Sequence, residues 1–207
     1  MKKSFSLIEL IFVISLLILL GTLFNIKIED NNLQMASNKL ILYLKQTRYQ
    51  ALLDAKENDI EELWYKKRWT LKFFRCRKDV GGIYYVIYSD KNMRGHPNFD
   101  ESLSDPLTNK KIYSSNRCET TSTTSKYVLL TKEYGISNVS ISCNNTSSLG
   151  QISFGNNGQV YSKLSSYEND EDRYKVEDKC EIRLEGRKKG SFIIEIEGKT
   201  GVIKEKE

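Results

Sequence analysis

The chain opens with a long run of apolar residues. Residues 5–24 contain one acid, Glu9, and no basic residue, and Lys2 and Lys3 precede them. At 1.5 Å of rise per residue, a helix of about 20 residues matches the ~30 Å hydrocarbon core of a bilayer. The pattern predicts a transmembrane helix, with the lysines on the cytoplasmic side and the rest of the chain beyond the membrane.

The following segment has the pattern of an amphipathic helix. Apolar and small residues recur every three or four positions, and basic residues lie off this stripe. The stripe consists of Leu33, Ala36, Leu40, Leu44, Thr47 and Ala51. The two segments together predict one helix over residues 5–56, roughly 78 Å long at 1.5 Å per residue. Residues 30–32 are its weakest point, because Asp and Asn favour caps and turns.

Beyond residue 60, short runs with strand-like alternation replace the helical pattern. In residues 180–185, for example, charged residues alternate with the apolar residues Cys180, Ile182 and Leu184. This alternation is typical of a strand with one solvent-exposed face. Strands are predicted at residues 69–76, 83–88, 127–131, 138–143, 151–154, 180–184, 191–197 and 202–204. The polar stretches 91–126 and 162–179 indicate loops. The expected fold class is α+β: a long N-terminal α-helix, membrane-spanning in its first half, packed against a C-terminal antiparallel β-sheet or sandwich.

Glu9 is the most informative residue of the apolar run, because a carboxylate in such a segment is costly without a partner. A plain membrane anchor does not account for it, and a secretory signal peptide is not expected either, because residues 21–25 contain no A-x-A-like cleavage site. The stretch Ser4-Phe5-Ser6-Leu7-Ile8-Glu9-Leu10, continued by Ile11-Phe12-Val13-Ile14, resembles the cleavage and methylation motif of type IV prepilins.

The resemblance implies a processing site and an assembly residue. A prepilin peptidase would cut between Ser4 and Phe5 and methylate the new amine of Phe5. Glu9 would then pair with the amine of a neighbouring subunit and so fix the axial register between helices. The sequence departs from the family at Ser4, where most prepilins have Gly.

The C-terminal part also resembles pilin-like proteins, in this case the GspH/FimT group of pseudopilins. The resemblance rests on the segments 152–154, 155–158, 180–184, 192–198 and 202–204. It implies a β-sandwich closed by a terminal hairpin. The implied organisation is a leader at 1–4, a transmembrane helix half at 5–24, an amphipathic half at 25–58 and a periplasmic β-rich domain at 59–207.

The function implied by both resemblances is assembly. The chain is expected to be a minor pseudopilin or pilin in a filament of a type II secretion or type IV pilus machine. Its expected location is the inner membrane, with a single pass and a periplasmic C-terminal domain, and within the filament. The partners implied are the prepilin peptidase, other pilins or pseudopilins and the inner-membrane assembly platform.

An alternative function comes from local charge. The whole chain has a net charge of only +5, which does not by itself indicate nucleic-acid binding. Residues 64–78, however, interleave aromatic and basic side chains, a combination that can hold a phosphate backbone and stack bases. The candidate DNA-binding residues are Lys66, Lys67, Arg68, Lys72, Arg75 and Arg77. They suggest a DNA-binding pilin of a natural-transformation system, unless they simply form a half-buried strand with solvated lysines.

The cysteines predict disulfides rather than a metal centre. Cys76, Cys118, Cys143 and Cys180 are even in number and lack C-x-x-C spacing. The pairs Cys76–Cys118 and Cys143–Cys180 are favoured, and the two other connectivities stay open.

Nothing in the sequence predicts catalysis or a cofactor. The single histidine, His96, lies in a loop-like stretch, and no Ser-His or multi-histidine metal pattern is present. The acidic residues at 168–172 lack the glycine and distal Glu of an EF-hand loop. We expect no metal, no cofactor and no enzymatic activity.

Overall fold

The computed structural model describes residues 6–23, 31–54, 63–165, 167–187 and 190–206. Ser4 and Phe5, the expected cleavage site, lie outside these residues. The chain divides into two compact units, residues 1–31 and residues 32–207.

The first unit contains helix α1, Leu7–Leu23, which has 17 residues. A bilayer-spanning helix needs about 20 predominantly apolar residues. Within the described part of the chain, no helix combines the length and the hydropathy needed to cross a membrane. The expected single-pass location in the inner membrane, with a periplasmic domain, is therefore wrong.

The predicted continuous helix over residues 5–56 is also wrong. The structure has two separate helices in this region, α1 and α2, and α2 extends over Asn32–Leu53. The start of α2 at Asn32 coincides with the predicted weak point, where Asp and Asn favour caps over helix interiors. The expected fold class is corrected accordingly: the protein is α+β with a short N-terminal helix and two antiparallel sheets.

The second unit is built on these two four-stranded antiparallel sheets. The first sheet has the order β2-β1-β4-β5 and the second has the order β3-β6-β7-β8. The first sheet is formed by β1 Trp69–Arg75, β2 Ile83–Ser89, β4 Gln151–Phe154 and β5 Val160–Tyr161. The second is formed by β3 Ile136–Ile141, β6 Lys179–Gly186, β7 Ser191–Glu197 and β8 Ile203–Glu205. Most strands lie within two residues of their predicted positions.

One predicted strand is absent. Residues 127–131 belong instead to a 3₁₀ turn, Lys126–Val128, and to the short helix α3, Leu130–Tyr134. Gly135 follows α3 with φ of 69° and its N–H donates to the carbonyls of Leu130 and Thr131. This left-handed cap is the usual helix-ending role of glycine. The strand was predicted from the apolar residues alone, and the role of Gly135 as a helix-ending residue was missed.

Helix α2 packs against both sheets and fills the core between them. Its buried residues are Ala36, Ser37, Leu40, Tyr43, Leu44, Thr47 and Ala51. They include all of the predicted stripe except Leu33, which is half-buried and packs against the same core. Because these side chains lie on one helical face, hydrophobic burial fixes α2 in place.

An irregular segment extends the first sheet along the free edge of β2. The N–H of Leu103 donates to the carbonyl of Ile87, and the N–H of Ile87 donates to the carbonyl of Ile112, at 2.8 and 3.2 Å. Ser89 similarly donates to the carbonyl of Glu101. The long polar loop predicted at residues 91–126 therefore covers an edge that would otherwise expose backbone groups.

Two disulfides join the ends of strands to neighbouring segments. Cys76 is bonded to Cys118, and Cys143 is bonded to Cys180. These are the two pairings that the sequence favours. Each closes a loop of about 40 residues, which lowers the entropy of the unfolded chain.

Candidate functional site

Helix α1 presents apolar side chains to solvent around its whole circumference. Every residue from Ser6 to Ile18 is exposed. Leu7, Ile8 and Phe12 have relative exposures of 77%, 75% and 71%. Contiguous exposed apolar surface of this kind marks an interaction site. An α-helix with one buried face would instead show exposure on one side only, as α2 does.

Glu9 has a defined local partner at the start of this helix. Its Oε2 accepts a hydrogen bond from the backbone N–H of Ser6 at 2.9 Å, and the Oγ of Ser6 accepts one from the N–H of Ile8 at 3.2 Å. This reciprocal arrangement is a capping box, in which the two side chains satisfy free N–H groups of the first turn. The side chain of Glu9 is otherwise exposed. It is therefore accessible to a further cation at the helix N-terminus.

The six basic residues predicted to bind DNA differ in their exposure and in their hydrogen-bond partners. Arg68, in the middle of the set, is 3% exposed. Its guanidinium carbon lies 3.6 Å from the ring centroid of Tyr161, and its Nη1 donates to the carbonyl of Glu171 at 3.0 Å. Arg68 therefore holds the acidic loop at residues 167–173 against the first sheet, from inside the domain.

The other basic residues do not share one face. Lys72 and Arg75 lie three positions apart on β1, so their side chains leave the sheet on opposite sides. Lys72 is half-buried, and burial lowers its pKa. Arg77 is exposed and donates through Nε and Nη2 to the two carboxylate oxygens of Asp79, at 3.1 and 2.5 Å. Only Lys66 and Lys67 remain adjacent, on the 3₁₀ turn before β1. DNA binding stays a prediction, with fewer convergent cations than the sequence suggests.

A buried polar cluster that the sequence did not indicate joins α2 to the loop after β2. Asp105 is 1% exposed, and its Oδ2 accepts a hydrogen bond from the Tyr43 hydroxyl at 2.5 Å. The Lys39 ammonium lies 3.5 Å from the same oxygen, and Oδ1 accepts the N–H of Leu107 at 2.9 Å. Burial opposes ionisation of Asp105, but these partners outweigh it and lower its pKa. Burial and the same hydrogen bond raise the pKa of Tyr43.

Next to this cluster, a groove of about 350 Å³ runs between α2 and the turn at Pro106. Leu42 and Tyr49 line it from the helix and Leu107 lines it from the turn. Leu107 is 81% exposed. Tyr43 lines the same groove, and its raised pKa keeps the hydroxyl protonated.

Within the part of the chain that the structure describes, no group of three or more His, Cys, Asp and Glu side chains is placed to hold a metal ion. Comparison with family models, with curated proteins and with solved structures finds no match to this chain.

Proposed function

We propose that this protein is a pilin-like subunit that assembles into a filament through helix α1. The observation that carries the proposal is the exposure of apolar side chains on all sides of α1. A helix of this kind gains stability by packing among other apolar helices, and copies of the same helix from neighbouring subunits supply that environment.

The sequence motif around Glu9 supports the same function. Glu9 is the acid that prepilins place near the start of the mature helix, and the resemblance assigns cleavage before Phe5. The capping box shows that the carboxylate lies at the N-terminus of α1, where a helix dipole also favours negative charge. In an assembly, the amine of a neighbouring Phe5 would add a second, cationic partner to this carboxylate. The proposed partners are accordingly the prepilin peptidase, other pilin-like subunits and the assembly platform.

Substitution at Glu9 separates an assembly role from a capping role. Glu9→Gln retains the side-chain oxygen that a capping box requires but removes the charge. Ser6→Ala removes the serine half of the cap, the hydrogen bond from the N–H of Ile8, but retains the charge of Glu9. If Glu9 pairs with a neighbouring amine, Glu9→Gln lowers incorporation into filaments at least tenfold, whereas Ser6→Ala has a small effect.

Incorporation is measured by recovery of the mature protein in the sheared filament fraction of its own cells, with total protein as the reference. Equal incorporation of wild type and Glu9→Gln would show that the acid only caps the helix. Absence of the wild-type protein from any filament fraction would contradict the proposed function itself.

A further inference from the structure

A small pocket lies between the β1–β2 turn, helix α3 and the residue that follows β6. Its volume is about 210 Å³. The lining includes Ile83 and Leu129, which are 2% and 1% exposed, and the disulfide between Cys76 and Cys118. Sites for drug-sized ligands begin at about 300 Å³, so this pocket suits a smaller molecule with an apolar part.

The walls of this pocket are joined to one another. Thr131 Oγ1 accepts the N–H of Ile83 at 2.9 Å, which connects α3 to the start of β2. The N–H of Arg187 donates to the carbonyl of Gly135 at 3.0 Å, which places Arg187 beside the end of α3. The first disulfide connects Cys118 to the residue that follows β1. A ligand would therefore enter a site that is already formed, without first ordering these segments.

Two cations line the same pocket. Lys132 lies on α3 and Arg187 follows β6, and both are exposed. Among the described residues, no acidic side chain lines the pocket, and no carboxylate oxygen lies within 4.0 Å of either cation. The acid of α3, Glu133, is paired with Lys126 at 3.6 Å. The pocket thus combines an apolar interior with positive charges that complement an anion.

We propose that this pocket binds a small aliphatic carboxylate of about six to eight carbons. The carboxylate would accept hydrogen bonds from the Lys132 ammonium and the Arg187 guanidinium, whose planar fork can hold both oxygens. The alkyl chain would lie against Ile83, Leu129 and the disulfide, where burial of apolar surface is favourable. For a ligand of this size we expect a Kd of roughly 10⁻⁴ to 10⁻³ M. The inference does not depend on the proposed assembly function.

The test uses the full chain with its disulfides intact and octanoate as the probe. Binding is measured by calorimetry and by NMR of methyl groups. The methyl signals of Val80, Ile83 and Leu129 report on the pocket, whereas those of α1 report on unspecific binding to its apolar surface. Octanol lacks the charge of octanoate, and acetate lacks the alkyl chain. We expect both to bind at the pocket methyls at least about tenfold more weakly than octanoate.

Variants without the two charges test the assignment of the cations. Lys132→Gln combined with Arg187→Gln should weaken octanoate binding by about tenfold or more and leave the thermal midpoint unchanged, because both residues are exposed. Arg117→Gln is the matched control, since Arg117 is an exposed arginine next to Cys118 that does not line the pocket. Unshifted pocket methyls with octanoate, equal binding of octanol, or an equal loss in Arg117→Gln would each overturn the proposal.

The C-terminus of a polypeptide carries the same carboxylate group as a free acid. N-acetyl-leucine, in which the carboxylate adjoins a peptide bond and an apolar side chain, is the probe for that source. Weaker binding of N-acetyl-leucine than of octanoate at the pocket methyls would support a free aliphatic acid as the ligand. Tighter binding would overturn that assignment.

Discussion

Helices α1 and α2 differ in how their apolar side chains are used. Leu16 on α1 is 50% exposed, and Leu44 on α2 is fully buried against the sheets. The apolar residues of α2 alternate with polar ones at helical spacing, whereas α1 is apolar on every side. Burial against its own domain therefore explains the sequence of α2. For α1, whose apolar side chains are exposed, we propose that other molecules supply the contact surface.

The comparison predicts that the same substitution lowers stability strongly in α2 and hardly at all in α1. Leu44→Ala should lower the free energy of unfolding by about 3 kcal/mol, since it removes buried methyl groups and leaves a cavity. Leu16→Ala should change it by less than about 0.5 kcal/mol, because the residue is exposed in the single chain. Urea unfolding of both variants measures the difference. If Leu16→Ala lowered the free energy of unfolding as much as Leu44→Ala does, the distinction between the two helices would be contradicted.

A second contrast concerns neighbouring basic residues in the segment before β1. Arg68→Ala should lower the free energy of unfolding by about 2 kcal/mol, because the contact with the Tyr161 ring and the hydrogen bond to Glu171 are both lost. Lys66→Ala is the matched control and should be neutral within about 0.5 kcal/mol. Equal stability of the two variants would show that Arg68 is not structural.

The Asp105 cluster should make the second unit sensitive to acid. The pKa of Asp105 is lowered in the folded state, so its ionised form contributes stability above the unfolded pKa of about 3.9. That contribution is lost as the pH falls through the folded pKa. Asp105→Asn should therefore cost about 1.5 kcal/mol at pH 7 and progressively less below pH 4. Urea unfolding of wild type and variant at several pH values tests this, and a difference that grows in acid would have the wrong sign.

The smallest expected effect concerns DNA. Since Arg68 is buried and Arg77 is bound to Asp79, we expect charge reversal at Lys66 and Lys67 to leave DNA retardation in gels unchanged. The measurement is made at two salt concentrations, because binding through phosphates would be strongly salt-dependent. Retardation by wild type that is salt-sensitive and abolished by Lys66→Glu with Lys67→Glu would instead support DNA capture.

Sequence periodicity was informative where one element packs against a broad surface. The stripe of α2 and the alternation in β6 follow from one-sided burial, and the even number of cysteines indicated the disulfides. At the acidic stretch 168–172, the backbone carbonyl of Glu171 accepts a hydrogen bond from Arg68.

Contacts between distant parts of the chain were not predictable in the same way. Arg68 is buried because Tyr161 and Glu171 surround it, and Asp105 is buried because Tyr43 and Lys39 face it. No local pattern indicates such pairs. The separate start of α2 at Asn32 was indicated only as a weak point at residues 30–32 of one long helix.

The mass of the mature N-terminus tests the central claim most directly. The protein is isolated from its own cells and the N-terminal peptide is analysed by mass spectrometry. Assembly as a pilin-like subunit predicts a chain that begins at Phe5 and carries one methyl group on its amine. A functional protein that retains residues 1–4, or that begins elsewhere without methylation, would contradict it.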